Sequence, residues 1–520
     1  MGAALVVVGV GPAEGVVGSL QPTRTRASRT TGSLVRMVRR YLRPVLRSAV
    51  YNRFWATGGG AEKFAGAIAQ HLTRHGPVQL IAHEPVDLGQ LGERLSLDLS
   101  GCSVREVPQS SAAVTEATAG LDLFVNASHR SRDVPAAARS LYVVHFPTDA
   151  PGPDAPVSWG PGVHLGDESV TWTDGRAVLH VESVGELTLA LGFQRPPAAG
   201  PVDVRLLVDG EVQARTNLAA ASGLRERITG RQLRTRITGP TDVVIESPAF
   251  RPADVVGGTD RRTLGVPVVG VRLGRSRVDP GLSMAWLGGY DQVVANSVFT
   301  QDWVTRRWGV SSSVLYPPVT AQEVAAKERV ILGVGRFFAP GQGHQKKQRE
   351  LVAAFRRLVD CGVEGWELHL VGGCDPSGRD YVEQVRRDAD GYPVVLHLDA
   401  SGAELAALMA RATVFWHLAG LGEDAERFPE RLEHFGISTA EAMSAAAVPV
   451  VLGVGGLAET VRDGVDGLHV TGVEDLAIRT RELIDDPARL ARLSAAARER
   501  ARELTDFDAR LAALLERHGS

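Results

Sequence analysis

Residues 433–443 read Glu-His-Phe-Gly-Ile-Ser-Thr-Ala-Glu-Ala-Met and lie between two hydrophobic runs. Ala-Thr-Val-Phe-Trp-His (412–417) precedes the stretch and Ala-Val-Pro-Val-Val-Leu (447–452) follows it. The order strand, loop, helix, strand is typical of the crossover unit that joins parallel strands in α/β folds. The pattern therefore predicts a loop at the carboxyl edge of a parallel sheet, with Glu433 in the loop and Glu441 in the helix that follows.

The start of this helix allows two interpretations of Glu441. Ser438 and Thr439 can cap the helix, so that its first N–H groups and its dipole face an anion beside Glu433. Ser438-Thr439-Ala440-Glu441 is also a capping-box pattern, in which Glu441 returns to the Ser438 amide. The sequence alone leaves open whether Glu441 binds a ligand or closes its own helix.

Length and composition limit the class of protein. A chain of 520 residues is too long for one compact core, and about two to four domains are expected. The 57 basic residues nearly balance the 60 acidic ones, which argues against general nucleic-acid binding. Cys102, Cys361 and Cys374 have no metal-ligand spacing, and no apolar run approaches a membrane span. We therefore expect a cytoplasmic protein of α/β type.

The N-terminal 47 residues are unusual in charge. Eight arginines and no acidic residue lie between Arg24 and Arg47, and apolar residues interleave with the last of them. A basic amphipathic segment of this kind can lie on an anionic membrane surface. The alternative is a disordered extension, which Gly32 and Pro44 favour. We predict a basic extension over residues 1–47 with a peripheral membrane contact as one of its two possible roles.

Strand and helix patterns divide the rest of the chain into four parts. Alternating strands and helices predict a Rossmann-like domain over residues 48–156, on the acceptor side, which resumes with the hinge over 256–320. Residues 157–255 instead have short period-two runs and an Asp209-Gly210 hairpin signal, which predict an inserted antiparallel β-sandwich. A second Rossmann-like domain, expected to bind a nucleotide sugar, is predicted over 321–520.

Several polar residues follow predicted strands. Arg336 comes directly after the first strand of the second half, and Lys346 lies ten residues further on. Two converging cations at strand ends match the charge of a diphosphate. Gly59 and Gly60 precede a helix and allow close backbone approach to a phosphate or sugar. His145 ends another strand, where a structural role is the alternative.

These motifs together resemble those of the family-four retaining glycosyltransferases, which have the GT-B fold. In that resemblance Glu433 reaches the donor sugar, Glu441 holds the ribose hydroxyls, and Arg336 and Lys346 bind the diphosphate. His145 approaches the sugar from the opposite domain, as a second catalytic contact. The resemblance also covers the starts of two helices. At the first, Gly59 and Gly60 approach the diphosphate. At the second, the loop that contacts the sugar and phosphate comprises His434, Phe435, Gly436, Ile437 and Ser438. Lys347 stands where the family usually has Gly, so the choice between Lys346 and Lys347 remains open, with Lys346 preferred.

The resemblance implies an α/β protein with two Rossmann-like domains, and the strand pattern adds an antiparallel β-sandwich inserted in the first. The resemblance also implies a metal-independent enzyme without a cofactor, which moves a hexose from a GDP- or UDP-linked donor to a glycan, lipid-linked or small-molecule acceptor. The Glu-His-Phe-Gly form resembles lipid-linked oligosaccharide α-1,2-mannosyltransferases and tilts the donor toward GDP-mannose. The alternatives are a GT-B sugar-nucleotide epimerase or phosphorylase and a non-catalytic carbohydrate-binding protein.

Overall fold

The computed structural model describes residues 45–148, 155–165, 170–219, 229–257, 262–278, 280–282, 284–338 and 345–516. From Leu46 onward the chain forms one compact unit. The Arg-rich segment, for which the sequence predicts an extension and a membrane contact, lies outside the described residues up to Pro44.

The first domain is built on a parallel sheet, here called the N-terminal sheet. Its seven strands within the described residues are, in spatial order, Ser313–Val314, Gln292–Ala295, Ser140–Val144, Leu123–Asn126, Ser48–Tyr51, Val78–Ala82 and Cys102–Glu106. Its helices are Gly60–Leu72, Leu88–Leu95, Ser111–Thr118 and Val298–Trp308, with 3-10 turns at Trp55–Thr57 and Ala285–Gly289.

Both faces of the N-terminal sheet are buried, because side chains alternate along each strand. Val50, Leu80 and Val125 lie in one apolar core, while Ala49 and Phe124 lie in the core on the opposite face. Ser297 caps the helix Val298–Trp308 through the Thr300 amide. The strands therefore have the continuous apolar sequences expected of a parallel sheet covered by helices on both sides.

Two further sheets are formed by residues inserted in the sequence between strands of the first domain, and the two sheets share one apolar core. One contains Glu211–Leu218, Val202–Val208, Thr241–Glu246, Arg176–Val181, Val157–Trp159 and Gly281–Leu282. The other contains Arg231–Ile237, Gly185–Leu191, Pro267–Leu273, Thr171–Thr173 and Val163–Leu165, with Ser276–Val278 beside Pro267–Leu273. Short helical turns lie at Pro197–Ala199 and Pro252–Val256.

The sandwich extends beyond the boundary at residue 255 that the sequence predicts. Pro267–Leu273 pairs antiparallel with Gly185–Leu191, and Gly281–Leu282 pairs with Val157–Trp159. Residues 256–282 therefore include sandwich strands. The boundary predicted from the sequence missed them because their partner strands lie far away in sequence. The first domain resumes only with the strand Gln292–Ala295.

The second domain contains the C-terminal sheet, which is also parallel. Its six described strands are, in spatial order, Val394–Leu398, Glu367–Gly372, Glu328–Val334, Ala412–His417, Val448–Leu452 and Leu468–Val470. Its helices are Gln348–Asp360, Arg379–Ala389, Gly402–Arg411, Ile437–Ser444, Leu457–Thr460, Val473–Asp485 and Pro487–Leu504, with 3-10 turns at Pro376–Gly378 and Pro429–Arg431.

The last described helix, Phe507–Glu516, returns to the first domain. Phe507, Leu511 and Leu514 are buried in the core that covers one face of the N-terminal sheet. His71 lies 2.7 Å from Asp508 at the same contact. The range 321–520, which the sequence predicts as the second domain, thus includes a helix that packs on the first domain. The apolar face of this helix is buried there.

Candidate functional site

A cleft of about 870 Å³ lies between the two Rossmann-like domains. One wall is the carboxyl end of the C-terminal sheet and the start of the helix Ile437–Ser444, and the other is the turn before the helix Gly60–Leu72. Of the residues singled out from the sequence, those that line the cleft are Gly59, Gly60, Arg336, Lys346, Glu433, Ile437, Ser438 and Glu441. A fold with parallel strands positions loops from separate parts of the chain at one such edge.

Glu433 lies in the loop before the helix, and Lys346 and His417 both contact its carboxylate. Its Oε2 is 2.5 Å from Lys346 Nζ and 3.0 Å from His417 Nε2. His417 ends the central strand Ala412–His417 and is buried, and burial lowers the pKa of its imidazole despite the neighbouring carboxylate. A neutral His417 donates one hydrogen bond to Glu433, so the orientation of this carboxylate is fixed from beneath.

Glu441 does not close a capping box. The helix begins after Gly436, which has a φ of 88°, and within the described residues no side chain caps it. Glu441 instead accepts a hydrogen bond from Lys63 of the first domain and one of 3.4 Å from the Thr320 amide, both at Oε1. Oε2 has no partner among the described residues. The carboxylate is thus oriented by the two domains and presents one oxygen to the cleft.

The two adjacent lysines point to different partners. Lys346 meets Glu433 in the cleft, whereas Lys347 Nζ lies 3.6 Å from Glu423 at a separate position. Lys347 also adopts a φ of 57° at the start of the helix Gln348–Asp360. This is the left-handed conformation that Gly adopts at least cost, which accounts for the Gly that the resemblance expects at this position.

Arg336 lies beside the cleft with a partner of its own. Its guanidinium is 2.9 Å from Asp375 and 5.2 Å from the centre of the Phe338 ring. Gln348 donates hydrogen bonds to the carbonyls of Gly335 and Arg336 and so fixes the loop that carries them. Arg336 and Lys346 therefore both border the cleft, on two loops that Gln348 joins.

The glycine turn of the first domain faces the helix start of the second. Glu62 accepts a hydrogen bond of 2.8 Å from the Gly59 amide and fixes the turn. A Cβ placed on Gly60 would lie 3.2 Å from the Ile437 side chain across the cleft. Gly58 has a φ of 56°, in the left-handed region. The turn therefore depends on small residues where the two domains approach most closely.

His145 does not line the cleft. Its Nε2 donates a 2.8 Å hydrogen bond to the Ala127 carbonyl, and burial lowers the pKa of its imidazole. It ends a strand as the sequence predicts, but its ring lies against Phe64 and His129 within the first domain. This geometry favours a structural role over the donor-sugar contact that the resemblance implies.

The loop between Glu433 and the helix divides into interface and core residues. The His434 ring stacks on Phe146 of the first domain at 4.5 Å. Phe435 is 2% exposed and stacks on Tyr316, so its side chain belongs to the core and does not reach a sugar. Gly436 provides the bend, and Ser438 lines the cleft. Of the predicted sugar and phosphate loop, His434, Phe435 and Gly436 therefore have structural contacts, while Ile437 and Ser438 line the cleft.

Two site residues were missed from the sequence. His417 carries the same signal as His145, a polar residue at the end of an apolar strand, and could have been found by it. Lys63 could not, because it pairs with a carboxylate 378 positions away. No cluster of three or more His, Cys, Asp or Glu residues able to hold a metal occurs in the described part of the chain. Nor is any described helix both long and apolar enough to cross a membrane.

Residues 320–500 match the family model of the Glycosyl transferases group 1. Glycogen synthase from Mycobacterium tuberculosis is 36% identical over 196 residues, which span 37% of this chain and 42% of that protein. D-inositol 3-phosphate glycosyltransferase 1 from Catenulispora acidiphila is 44% identical over 75 residues, which span 14% of this chain and 18% of that protein. The chain thus matches less than half the length of these relatives. The region that matches the family model includes Arg336, Lys346, Glu433 and Glu441.

Solved structures resemble almost the whole chain. HepE from Anabaena in complex with UDP has a TM-score of 0.51 and 15% identity, and the match covers 91% of this chain and all of that one. A glycosyltransferase from Rickettsia africae has a TM-score of 0.51 and 11% identity, with 91% of this chain and 97% of that one covered. The fold is therefore the GT-B fold with two Rossmann-like domains, as the sequence predicts.

Proposed function

We propose that the protein is a retaining glycosyltransferase that moves a hexose from a nucleotide-diphosphate sugar to a glycan, lipid-linked or small-molecule acceptor. The observation that carries this proposal is the cleft between the domains, which is bordered by Arg336 and Lys346 and by Glu433 and Glu441. Cations for a diphosphate and carboxylates for hydroxyls are the groups that a sugar nucleotide requires. The match of residues 320–500 to the Glycosyl transferases group 1 supports the same activity.

In the proposed reaction, the bond between the sugar C1 and the diphosphate oxygen breaks, and C1 bonds to the acceptor oxygen on the same face. The acceptor proton passes to the leaving phosphate. Arg336 and Lys346 stabilise the negative charge on the departing diphosphate, an electrostatic contribution to catalysis. The contact between Lys346 and Glu433 lets one hydrogen-bonded pair bind both the diphosphate and the sugar it carries.

Glu441 is assigned to the ribose hydroxyls. Lys63 and the Thr320 amide occupy Oε1, which leaves Oε2 to accept from a ribose. Preorganised acceptors of this kind cost little reorganisation when a ligand binds. The donor assignment begins with GDP-mannose, because of the Glu-His-Phe-Gly motif. UDP-sugars are tested beside it, since a protein of the same fold was solved with UDP.

The test starts with a thermal-shift screen of GDP- and UDP-sugars, followed by product analysis with candidate acceptors. Glu433→Gln should keep nucleotide binding but lose transfer, because the amide oxygen can still accept from Lys346 and His417 while the charged contact to the sugar is lost. Glu423→Gln is the matched control, since Glu423 pairs with Lys347 and Arg431 outside the cleft. Normal turnover by Glu433→Gln would refute the proposal. Conversion of the donor without an acceptor would indicate an epimerase, and conversion that requires inorganic phosphate would indicate a phosphorylase.

Retention of configuration is tested on the product. Proton NMR of the new glycosidic linkage should give the same anomeric configuration as the donor sugar. Inversion would exclude the same-face mechanism, although it would leave the assignment of the diphosphate contacts in place.

A further inference from the structure

A second cavity of about 550 Å³ lies between the N-terminal sheet and the inserted β-sandwich, and we call it the sandwich pocket. Residues that follow the carboxyl ends of the sheet strands form one wall, among them Arg53, His83 and Arg132. The sandwich provides the other wall through Gly162 and His164. None of the residues that line this pocket also lines the cleft between the domains.

The pocket is rich in arginine, and the partly buried Arg132 has no hydrogen-bond or ion-pair partner among the described residues. The lining includes Arg53, Arg130, Arg132 and Arg262. Arg53 lies 3.9 Å from Asp133, whereas Arg132 makes no hydrogen bond or ion pair with any residue that the structure describes. Burial lowers the pKa of Arg132 to about 10, more than nearby Asp133 can offset. A largely dehydrated cation without a fixed counterion is unfavourable by itself, and such groups occur where a charged ligand binds.

Three carboxylates line the pocket, and two of them, Asp133 and Asp174, already have donors. Asp133 accepts hydrogen bonds of 2.9 Å from the Ser111 hydroxyl and 2.6 Å from the Ser131 hydroxyl. Asp174 accepts from the amides of Ser111 and Arg176. Asp133 and Asp174 are therefore held by their own donors. Glu84, the third acid of the lining, makes no hydrogen bond or ion pair with Arg132 among the described residues, so the guanidinium of Arg132 remains available to an external anion.

Two of the three histidines that line the pocket, His83 and His164, have pKa values that burial lowers, which favours their neutral forms. His83 donates to the Val107 carbonyl at 3.0 Å and contacts the Tyr51 hydroxyl at 2.8 Å. His164 donates to the Thr263 carbonyl, and burial lowers its pKa to about 4. The permanent positive charge of the pocket therefore comes from arginine.

The loop that carries Arg132 is rigid. The Asn126 amide donates hydrogen bonds of 2.9 Å to the Ser131 hydroxyl and 2.7 Å to the Tyr290 hydroxyl. The Tyr142 hydroxyl donates a hydrogen bond of 2.6 Å to the Ser131 carbonyl. Buried hydrogen bonds on both sides of Arg132 thus fix its backbone. A cation on a preorganised loop is what selective binding of an oxyanion requires.

A short stretch of chain connects the sandwich pocket to the cleft. His129 lines it, and its ring lies 6.1 Å from that of His145 at the end of a central strand. Arg53 and Phe54 also line it, and the chain continues from them through one 3-10 turn to Gly59 and Gly60 in the cleft. A ligand in this pocket would therefore lie on the N-terminal side of a donor bound in the cleft.

We infer that the sandwich pocket binds the acceptor, and that this acceptor carries an oxyanion, a phosphate monoester or a carboxylate, which Arg132 contacts. The inference rests on the proposed glycosyl transfer and assigns a role to the insertion, as the wall that encloses the acceptor. Arginine suits both oxyanions because its planar guanidinium can donate two parallel hydrogen bonds.

The first experiment measures anion binding without catalysis. The full chain is saturated with nucleoside diphosphate to fill the cleft, and its melting temperature is followed as inorganic phosphate replaces chloride at constant ionic strength. Phosphate should raise the melting temperature of the parent protein, and Arg132→Gln should weaken phosphate binding at least about tenfold, the loss expected for a charge-assisted hydrogen bond. Arg132→Lys, which keeps the charge, should retain part of the effect.

Arg236→Gln is the matched control, because Arg236 is exposed on the sandwich and lines neither cavity. It should respond to phosphate like the parent. An equal response of Arg132→Gln and the parent, or an equal loss in Arg236→Gln, would overturn the inference. If Arg132→Gln fails to fold, the phosphate response of Arg132→Lys is compared with that of Arg236→Gln instead. Both of these variants keep a hydrogen-bonding side chain at the changed position.

The second experiment compares acceptors that differ only in charge: glucose, glucose 6-phosphate and glucuronate, each with the donor found in the screen. At least one anionic form should be used about tenfold or more in preference to glucose, by kcat/KM, and Arg132→Gln should lose that preference. Preference for the neutral sugar would overturn the acceptor assignment. Phosphate binding that depends on Arg132, without transfer to any acceptor, would instead leave the oxyanion site standing and count against glycosyl transfer.

Discussion

Replacement of Glu441 by Gln tests the site most directly, because the amide keeps the shape of the side chain and removes only its charge. Glu441 lies in the fifth position of its helix, and its side chain is 10% exposed while that of its partner Lys63 is 15% exposed. Gln can still accept from the Thr320 amide. The backbone and the helix should therefore be unchanged.

The expected loss follows from the kind of hydrogen bond involved. A charged acceptor contributes about 1.5–3 kcal/mol per hydrogen bond, and a neutral one about 0.5–1.5 kcal/mol. One ribose hydroxyl bound to Glu441 Oε2 would thus lose about 1–1.5 kcal/mol in Glu441→Gln, which weakens nucleotide binding about 5- to 13-fold. The unpaired charge of Lys63 should also lower the melting temperature.

Titration calorimetry with the nucleoside diphosphate measures this loss. Glu404→Gln is the control, since Glu404 closes a true capping box with Ser401 and does not itself line the cleft. It should bind nucleotide like the parent. If Glu441→Gln also binds like the parent, the assignment of Glu441 to the ribose is wrong and its role is limited to the contact with Lys63.

Three further predictions concern charge, metal and pH. Arg336→Ala and Lys346→Ala should each weaken nucleoside diphosphate binding by about 1.5–3 kcal/mol in calorimetry, whereas Lys347→Ala should not; equal losses for both lysines would contradict the separation of their side chains. Transfer activity should survive EDTA, because we assign the phosphate charge to protein cations, and activity lost with EDTA and restored by manganese would refute that assignment. Burial holds the pKa of His417 below its ordinary value and that of His164 at about 4. As the pH falls below about 6.5, these two imidazoles therefore bind protons in the unfolded chain before they do so in the folded protein, and this favours unfolding. The melting temperature should therefore fall between pH 6.5 and 4, and less steeply in His164→Asn; an unchanged slope in that variant would exclude His164 as a source.

The parts of the fold that local pattern decides could be predicted from the sequence. The strands Ser48–Tyr51 and Ala412–His417 are apolar and end in polar residues, as buried parallel strands do. The end of the sandwich could not be predicted, because Pro267–Leu273 is placed by a partner about eighty residues earlier. The return of Phe507–Glu516 to the first domain is equally non-local, since an amphipathic helix does not specify which apolar surface covers it.

The site shows the same division between local and distant information. The position of Arg336 after a strand and the turn at Gly59 follow from local sequence. The choice between Lys346 and Lys347 does not, because it depends on whether Glu433 or Glu423 lies within reach. Spacing along the chain identifies candidate cations, but only the packing of loops from several strands determines which cation meets which carboxylate.

The capping-box interpretation of Glu441 failed for a reason that can be stated in terms of helix geometry. A capping box requires Ser at the N-cap and Glu three residues later. Gly436 occupies the N-cap instead, with a φ of 88° that Gly adopts readily, and this places Ser438 in the first turn and Glu441 in the second. From there Glu441 cannot reach back to the N-terminal amides, and its side chain projects from the helix toward Lys63. The Gly in Glu-His-Phe-Gly therefore starts the helix two residues earlier than a capping box with Ser438 as N-cap would. This shift directs Glu441 into the cleft.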